Sequence, residues 1–143
     1  EKLSRDEVNV KVKQYEEFID NKLKVQLART LDERDKLYNK IRDLLEVKNS
    51  AGVIKTQNLT SMKTLVNLGS DHFVEATIPD TSTIFLDIGL GFHAEFTLDE
   101  ALEAIDKQTE HYEEKASTLT EKANQIKAHI KLVYEGINEL MNF

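Results

Sequence analysis

The 143-residue chain has no cysteine and no tryptophan, one proline and five glycines. Without cysteine there is no disulfide and no thiolate chemistry, which fits a reducing compartment. No apolar run approaches the roughly 18 residues that a membrane-spanning helix needs, so no membrane partner is expected. Positive charge is also scarce: 19 Lys and Arg stand against 26 Asp and Glu, a net charge of −7. An acidic chain is repelled by phosphates, which argues against direct nucleic-acid binding. Three of the five glycines, Gly69, Gly89 and Gly91, lie in one central window, so helix breakers are concentrated there and the flanks are left to helix.

The organising stretch runs from Leu98 to Leu140. Steps of 4 and 3 meet Leu98, Leu102, Ile105, Thr109, Tyr112, Ala116, Leu119, Ala123, Ile126, Ile130, Val133, Ile137 and Leu140, and only Thr109 is not apolar or aromatic. This heptad seam predicts a coiled-coil helix roughly 65 Å long at 1.5 Å per residue. A compact globule of this chain length has a radius of gyration of only about 14–15 Å. The seam therefore implies a rod or a long arm.

Residues 4–58 carry a second helical pattern. Val8, Val12, Tyr15 and Ile19 form one run; Leu27, Leu31, Leu37, Tyr38, Ile41, Leu44 and Leu45 form another. The 4, 4 step through Ile19, Leu23 and Leu27 is a stutter joining them. Arg34 and Lys48 fall on the second run, where their stems would snorkel or loosen the packing. Ser4 with Glu7 reads as a capping box, and the helix is expected to end between Ala51 and Leu59. The two seams are expected to pack on each other as an antiparallel intramolecular hairpin.

Between the helices the period changes to 2. Thr64, Val66 and Leu68, then Val74, Ala76 and Ile78, then Ile84, Leu86 and Ile88, then Phe92, Ala94 and Phe96 alternate with their neighbours. Gly69-Ser70-Asp71 and Gly89-Leu90-Gly91 read as hairpin turns, and Pro79-Asp80-Thr81-Ser82 as a turn between two β-hairpins, 62–78 and 83–96. Thr97 and Glu100 form a capping box at the start of the long helix, with Phe96 stapling onto Ala101. The expected fold is α+β: a long antiparallel helical hairpin with two β-hairpins at its base, in one domain spanning 1–143 (helix 4–58, hairpins 62–96, helix 98–141). Isolated hairpins are marginal in water and expose edges, so strands from other chains are expected to cover them. The residues expected at that subunit contact are Val66, Leu68, Val74, Ile84, Leu86, Ile88, Phe92 and Phe96.

No motif for other chemistry is complete. Gly89-Leu90-Gly91-Phe92-His93-Ala94 fits the letters of a dinucleotide fingerprint, but a strand follows it and not a helix. His72, His93, His111 and His129 are scattered, and His129 points off the seam; no metal or cofactor site is expected. Glu113 and Glu114 read as solvated charge. Asn58-Leu59-Thr60 matches a glycosylation sequon but carries no secretory context. The chain reads as non-enzymatic. At its two ends the apolar stripe widens, with Val8, Val12, Tyr15, Phe18 and Ile19 on one helix and Val133, Tyr134, Ile137, Leu140, Met141 and Phe143 on the other. Met and aromatic side chains suit adaptable contacts, so these tips are candidate surfaces for clients or partners.

The order of parts resembles the α-type subunits of the prefoldin family. The resemblance rests on Ile84-Phe85-Leu86-Asp87-Ile88-Gly89-Leu90-Gly91-Phe92, Glu95 and Glu100-Ala101. Val66-Asn67-Leu68-Gly69, Phe73-Val74-Glu75, Pro79-Asp80-Thr81-Ser82, Leu98–Asp106, Asn124–Ile130, Tyr15–Ile19 and Leu31–Lys36 are similar to a prefoldin-like branch of that family. The Pro-Asp-Thr turn departs from the Pro-Gly commoner in standard prefoldin α subunits, which bears on membership of the tubulin- and actin-handling hexamer. The resemblance implies an ATP-independent α-type subunit of a prefoldin-like co-chaperone complex, working with an AAA+ ATPase assembly. It implies β-type subunits and the unconventional prefoldin interactor as partners, non-native or partner proteins as clients, a hetero-oligomer or else a homo-oligomer, links to transcriptional regulation, and residence in cytoplasm and nucleus. The alternative is a coiled-coil adaptor or transcriptional co-regulator acting outside a chaperone hexamer.

Overall fold

The computed structural model describes residues 3–142. Its elements are α1 (Arg5–Phe18), a π-helical turn (Ile19–Leu23), α2 (Lys24–Thr56), β1 (Met62–Gly69), β2 (His72–Ile78), β3 (Thr83–Gly89), β4 (Phe92–Thr97) and α3 (Leu98–Met141). The chain divides into two compact units, Glu1–Asn39 with Tyr112–Phe143, and Lys40–His111. Each carries its own core.

The helix boundaries follow local chemistry. At the start of α1 the Ser4 side chain accepts from the Glu7 backbone N–H at 3.3 Å, and Glu7 accepts from the Ser4 N–H at 2.7 Å. That backbone hydrogen bond, with help from the Ser4 hydroxyl, holds the Glu7 carboxyl below its ordinary pKa. The same reciprocal pair forms between Thr97 and Glu100 at the start of α3, at 3.3 and 3.1 Å. α2 ends in a Schellman arrangement: Asn58 takes φ +50°, the Leu59 N–H reaches back to the Ile54 carbonyl and the Asn58 N–H to that of Lys55. The sequon asparagine is thus a helix terminator.

The first unit is an antiparallel pairing of α1, the π turn and the start of α2 with the C-terminal part of α3. Ile19, Leu23, Ile126 and Ile137 form its core, flanked by Val12, Leu27, Ile130 and Val133. The π turn covers the span from Ile19 to Leu23, the first 4-residue step of the stutter. A wider turn absorbs the extra spacing and keeps both side chains on the buried face, where Ile19 is fully covered and Leu23 nearly so. Further along, Arg34 donates to the Thr120 hydroxyl at 3.3 Å and its guanidinium lies 5.5 Å from the Tyr38 ring centroid. The seam arginine therefore acts as a cross-helix donor and not only as a snorkelling stem.

In the second unit the end of α2 runs antiparallel to the start of α3. Lys48 pairs with Asp106 at 2.6 Å, and Lys55 pairs with Asp99 one heptad on. These pairs are exposed and each contributes at most about 1 kcal/mol. The core is apolar: Leu86, Ala101 and Ile105 are buried, with Leu44, Val47, Ile84, Phe96 and Ala104 packed on them. All 13 seam positions of α3 are buried or half-buried, Thr109 included, although its hydroxyl finds no hydrogen-bond partner among the described residues.

The sheets are two separate antiparallel pairs, β1–β2 and β3–β4. Val66 faces Val74 and Leu65 faces Glu75 in the first; Leu86 faces Ala94 and Phe85 faces Glu95 in the second. The α+β fold read from the sequence, long antiparallel helices with two β-hairpins, is the fold found. Ile105→Ala is expected to cost about 2–4 kcal/mol in urea unfolding, because it empties a fully buried site, while Leu90→Ala, at a 97% exposed residue, stays within about 0.5 kcal/mol.

Candidate assembly surface

The two hairpins are built on one plan. Residues 63–77 and 83–97 align without a gap at a spacing of 20, with Gly69 and Gly89, Glu75 and Glu95, and Thr77 and Thr97 identical. In each turn an Asx side chain, Asn67 or Asp87, accepts from the N–H of the glycine two residues on, at 2.8 Å. The glycines then take φ +103° and +104°. The next two residues, Ser70-Asp71 and Leu90-Gly91, also have positive φ, as a type I′ turn requires. Leu90 is an unusual occupant of such a position: a branched side chain at φ +54°, almost wholly in water.

The connections are pinned to the helical base through a buried residue that the sequence pattern did not single out. The Thr81 hydroxyl donates to the Leu59 carbonyl, and the Thr81 N–H donates to that of Thr60 at 3.3 Å. One threonine therefore ties the loop between the hairpins to the loop leaving α2. Beside it the Asp80 carboxylate accepts from the Ser82 N–H at 2.9 Å. The Ser82 side chain, and then its backbone N–H, hold the Asp80 carboxyl below its ordinary value of 3.8. The tip of the second hairpin is also held, by Gln108 donating to the Asp87 carbonyl at 3.3 Å.

The eight residues expected at a subunit contact fall into two groups. Leu86 is buried against Ala101 and Ile105, and Ile84 and Phe96 pack beside it, so these three belong to the chain's own core. The reason is geometric: they share the face of β3–β4 that lies on the helices. Val66, Leu68, Val74, Ile88 and Phe92 are exposed. Exposed apolar residues that the sequence reading passed over join them. Leu65 and Phe85, 66% and 67% exposed, occupy equivalent positions of the repeat, each opposite a glutamate, and Phe73 is exposed too. The 20-residue spacing was the signal that identifies this pair. With only two strands per sheet, each hairpin also offers unpaired edges.

The tip residues likewise divide. Ile19 and Ile137 are core, Val12 and Val133 pack against it, Val8 and Leu140 are half-buried, and Tyr15, Phe18, Tyr134 and Met141 are exposed. Phe143 lies outside the described residues. His129, read as solvated, meets the Phe18 ring edge-on at 5.9 Å. Tyr15, His129, Leu132, Val133, Gly136 and Leu140 line an open groove of about 390 Å³. Nearby, Asp20, 2.8 Å away, and then Tyr134 raise the Lys24 pKa. Among the described residues no three His, Asp or Glu side chains gather to hold a metal ion, and no helix is long and apolar enough to cross a membrane.

The family model and the curated relatives point to one family. The family model described as prefoldin subunit matches residues 23–143. The chain belongs to the prefoldin family. Within it, the chain is 37% identical over 140 residues to a Protein UXT homolog of Dictyostelium discoideum, covering 98% of this chain and 86% of that one. It is 38% identical over 130 residues to Protein UXT of Homo sapiens, covering 91% and 83%. The prefoldin subunit alpha of Methanopyrus kandleri is 45% identical over 49 residues, 34% of this chain and 31% of that one. Among solved structures, a filamentous prefoldin from Methanocaldococcus jannaschii overlaps 94% of this chain and 98% of that one at a TM-score of 0.46 and 21% identity. The chain is a UXT-like, prefoldin-type protein.

The depressed Asp80 pKa has a testable sign. Its contribution to stability is fully present above the ordinary value of 3.8 and is lost as pH falls through the lower folded value. Asp80→Ala is therefore expected to lower the urea midpoint at neutral pH, with the difference from the parent chain shrinking once the pH drops below 3.8.

Proposed function

We propose that this chain is an α-type subunit of a prefoldin-like co-chaperone complex, joined to β-type subunits through its hairpins and meeting non-native or partner proteins through its helical tips, without nucleotide. The observation that carries the reading is the division of the strand residues. Leu86, Ile84 and Phe96 satisfy the chain's own core, while Leu65, Leu68, Phe85, Ile88, Leu90 and Phe92 stand in water on two sheets with open edges. A monomer gains nothing from that exposure, and a partner that pairs with the edges and covers the apolar side chains removes it. Kinship with the proteins called UXT and with archaeal prefoldin subunit alpha supports the α-type assignment. The tips support a second contact: Tyr15, Phe18, Tyr134 and Met141 are exposed beside an apolar groove, and mobile sulfur and aromatic side chains adapt to varied partners. The expected compartments are cytoplasm and nucleus.

Changing Leu68, Ile88 and Phe92 together to Asp is expected to leave helix content and unfolding of the isolated chain unchanged and to abolish co-assembly with a β-type prefoldin subunit, read by native mass. Changing Tyr15, Phe18, Tyr134 and Met141 to Ser is expected to leave that assembly intact and to weaken, several-fold, suppression of aggregation of a denatured client without ATP. Retained assembly in the first variant overturns the hairpin role; unchanged suppression in the second overturns the tip role.

A further inference from the structure

The charge of this chain is unevenly placed. The unit Lys40–His111 holds twelve Asp and Glu against six Lys and Arg, a net charge of −6 out of the total of −7. Within it, no Lys or Arg occurs between Lys63 and Lys107. That gap contains almost all of both hairpins, with Asp71, Glu75, Asp80, Asp87 and Glu95, and continues into α3 with Asp99, Glu100, Glu103 and Asp106. On the helix, Asp99, Asp106 and Glu103 are matched by Lys55, Lys48 and Lys107 from outside the gap. On the strands the one Lys or Arg is Lys63, 3.2 Å from Glu75; His72 and His93 also lie there, His93 opposite Asp87. Its counterpart in the second hairpin is Thr83, whose hydroxyl donates to Glu95 at 2.7 Å.

The two glutamates sit at equivalent positions, each cross-strand from the most exposed apolar residue of its outward face: Glu75 opposite Leu65, Glu95 opposite Phe85. We infer that the hairpins select a partner whose strands carry Lys or Arg, and that they reject a second copy of this chain. The inference rests on the reading of the hairpins as an assembly surface and names what that surface accepts. A second copy would satisfy the apolar side chains equally well, but it would set carboxylate against carboxylate with a single lysine per chain to relieve them. Like charges opposite one another across a sheet are destabilising, and an interface partly excluded from water sharpens the penalty. A basic strand supplies the cation that Glu95 lacks, adds to Lys63 at Glu75, and is drawn in by the acidic field of the whole unit.

The test uses the full chain and a charge-reversed copy of it, Glu75→Lys with Glu95→Lys, as the defined basic partner. Association is measured by sedimentation at about 0.05 M and about 1 M salt, between which the screening length falls to about 3 Å. The expected result is mixed complexes at low salt at least about tenfold tighter than self-association of either chain, with the preference lost at high salt. A second variant, Glu75→Gln with Glu95→Gln, keeps the side-chain shape and is expected to self-associate more tightly than the parent at low salt. Self-association of the parent that is as tight at low salt as at high, or mixing no tighter than self-association, overturns the charge selection. If that occurs while the Leu68, Ile88 and Phe92 to Asp variant still loses its β-type partner, the assembly surface stands and only its selectivity fails. If that variant keeps the partner, the assembly reading has failed.

Discussion

A two-stranded sheet has two faces and two edges, and only β3–β4 contributes a strand residue to the buried cores found among the described residues. That shortage of cover shapes the second unit. Leu86, Ile84 and Phe96 reach Ala101 and Ile105 because they share the side of β3–β4 that meets α3. The residues between them in the strand pattern, such as Phe85, are turned to solvent by the same pleat. Burying one set exposes the other.

The remaining features hold this arrangement in place. Capping boxes at Ser4 and Thr97 set the helix starts, and Asn58 in a left-handed conformation ends α2 before β1. Thr81 joins the two connecting loops. Repeated Asx–glycine turns aim both hairpins by the same means. In the other unit, a π turn corrects the spacing of the apolar stripe so that Ile19 and Leu23 both reach the core. Each device is local, and each satisfies polar backbone groups or apolar side chains that would otherwise be left without partners. What stays without a partner in the chain is concentrated on the hairpins and at the helical tips. Those are the places where we propose that the chain meets other proteins.

Charge adds a second constraint to the same surface. The helices mix acid and base along their length, while the strands carry carboxylates with one lysine. An apolar face alone would be indifferent between a copy of itself and any other strand; a carboxylate such as Glu95, with a hydroxyl and no Lys or Arg beside it, is the feature on which we base the proposed selectivity.

Sequence alone determined a great deal here, because its strongest signals are periodic and local. The heptad seam of α3 needs only spacing to be legible, and all of its positions are covered in the fold. The change of period at residue 62, the glycine turns and the Thr97–Glu100 cap are equally local. Tertiary structure decided which strand residues are core and which are surface. Ile84, Leu86 and Phe96 look like Val66, Leu68 and Phe92 in a binary pattern, and only the seating of β3–β4 on α3 separates them. Spacing marked the stutter at Ile19–Leu27, but the backbone form that resolves it, a π turn, depends on what the opposite helix offers. The role of Thr81 could not be read at all, since its partners, Leu59 and Thr60, are more than twenty residues away and are brought close only by the fold.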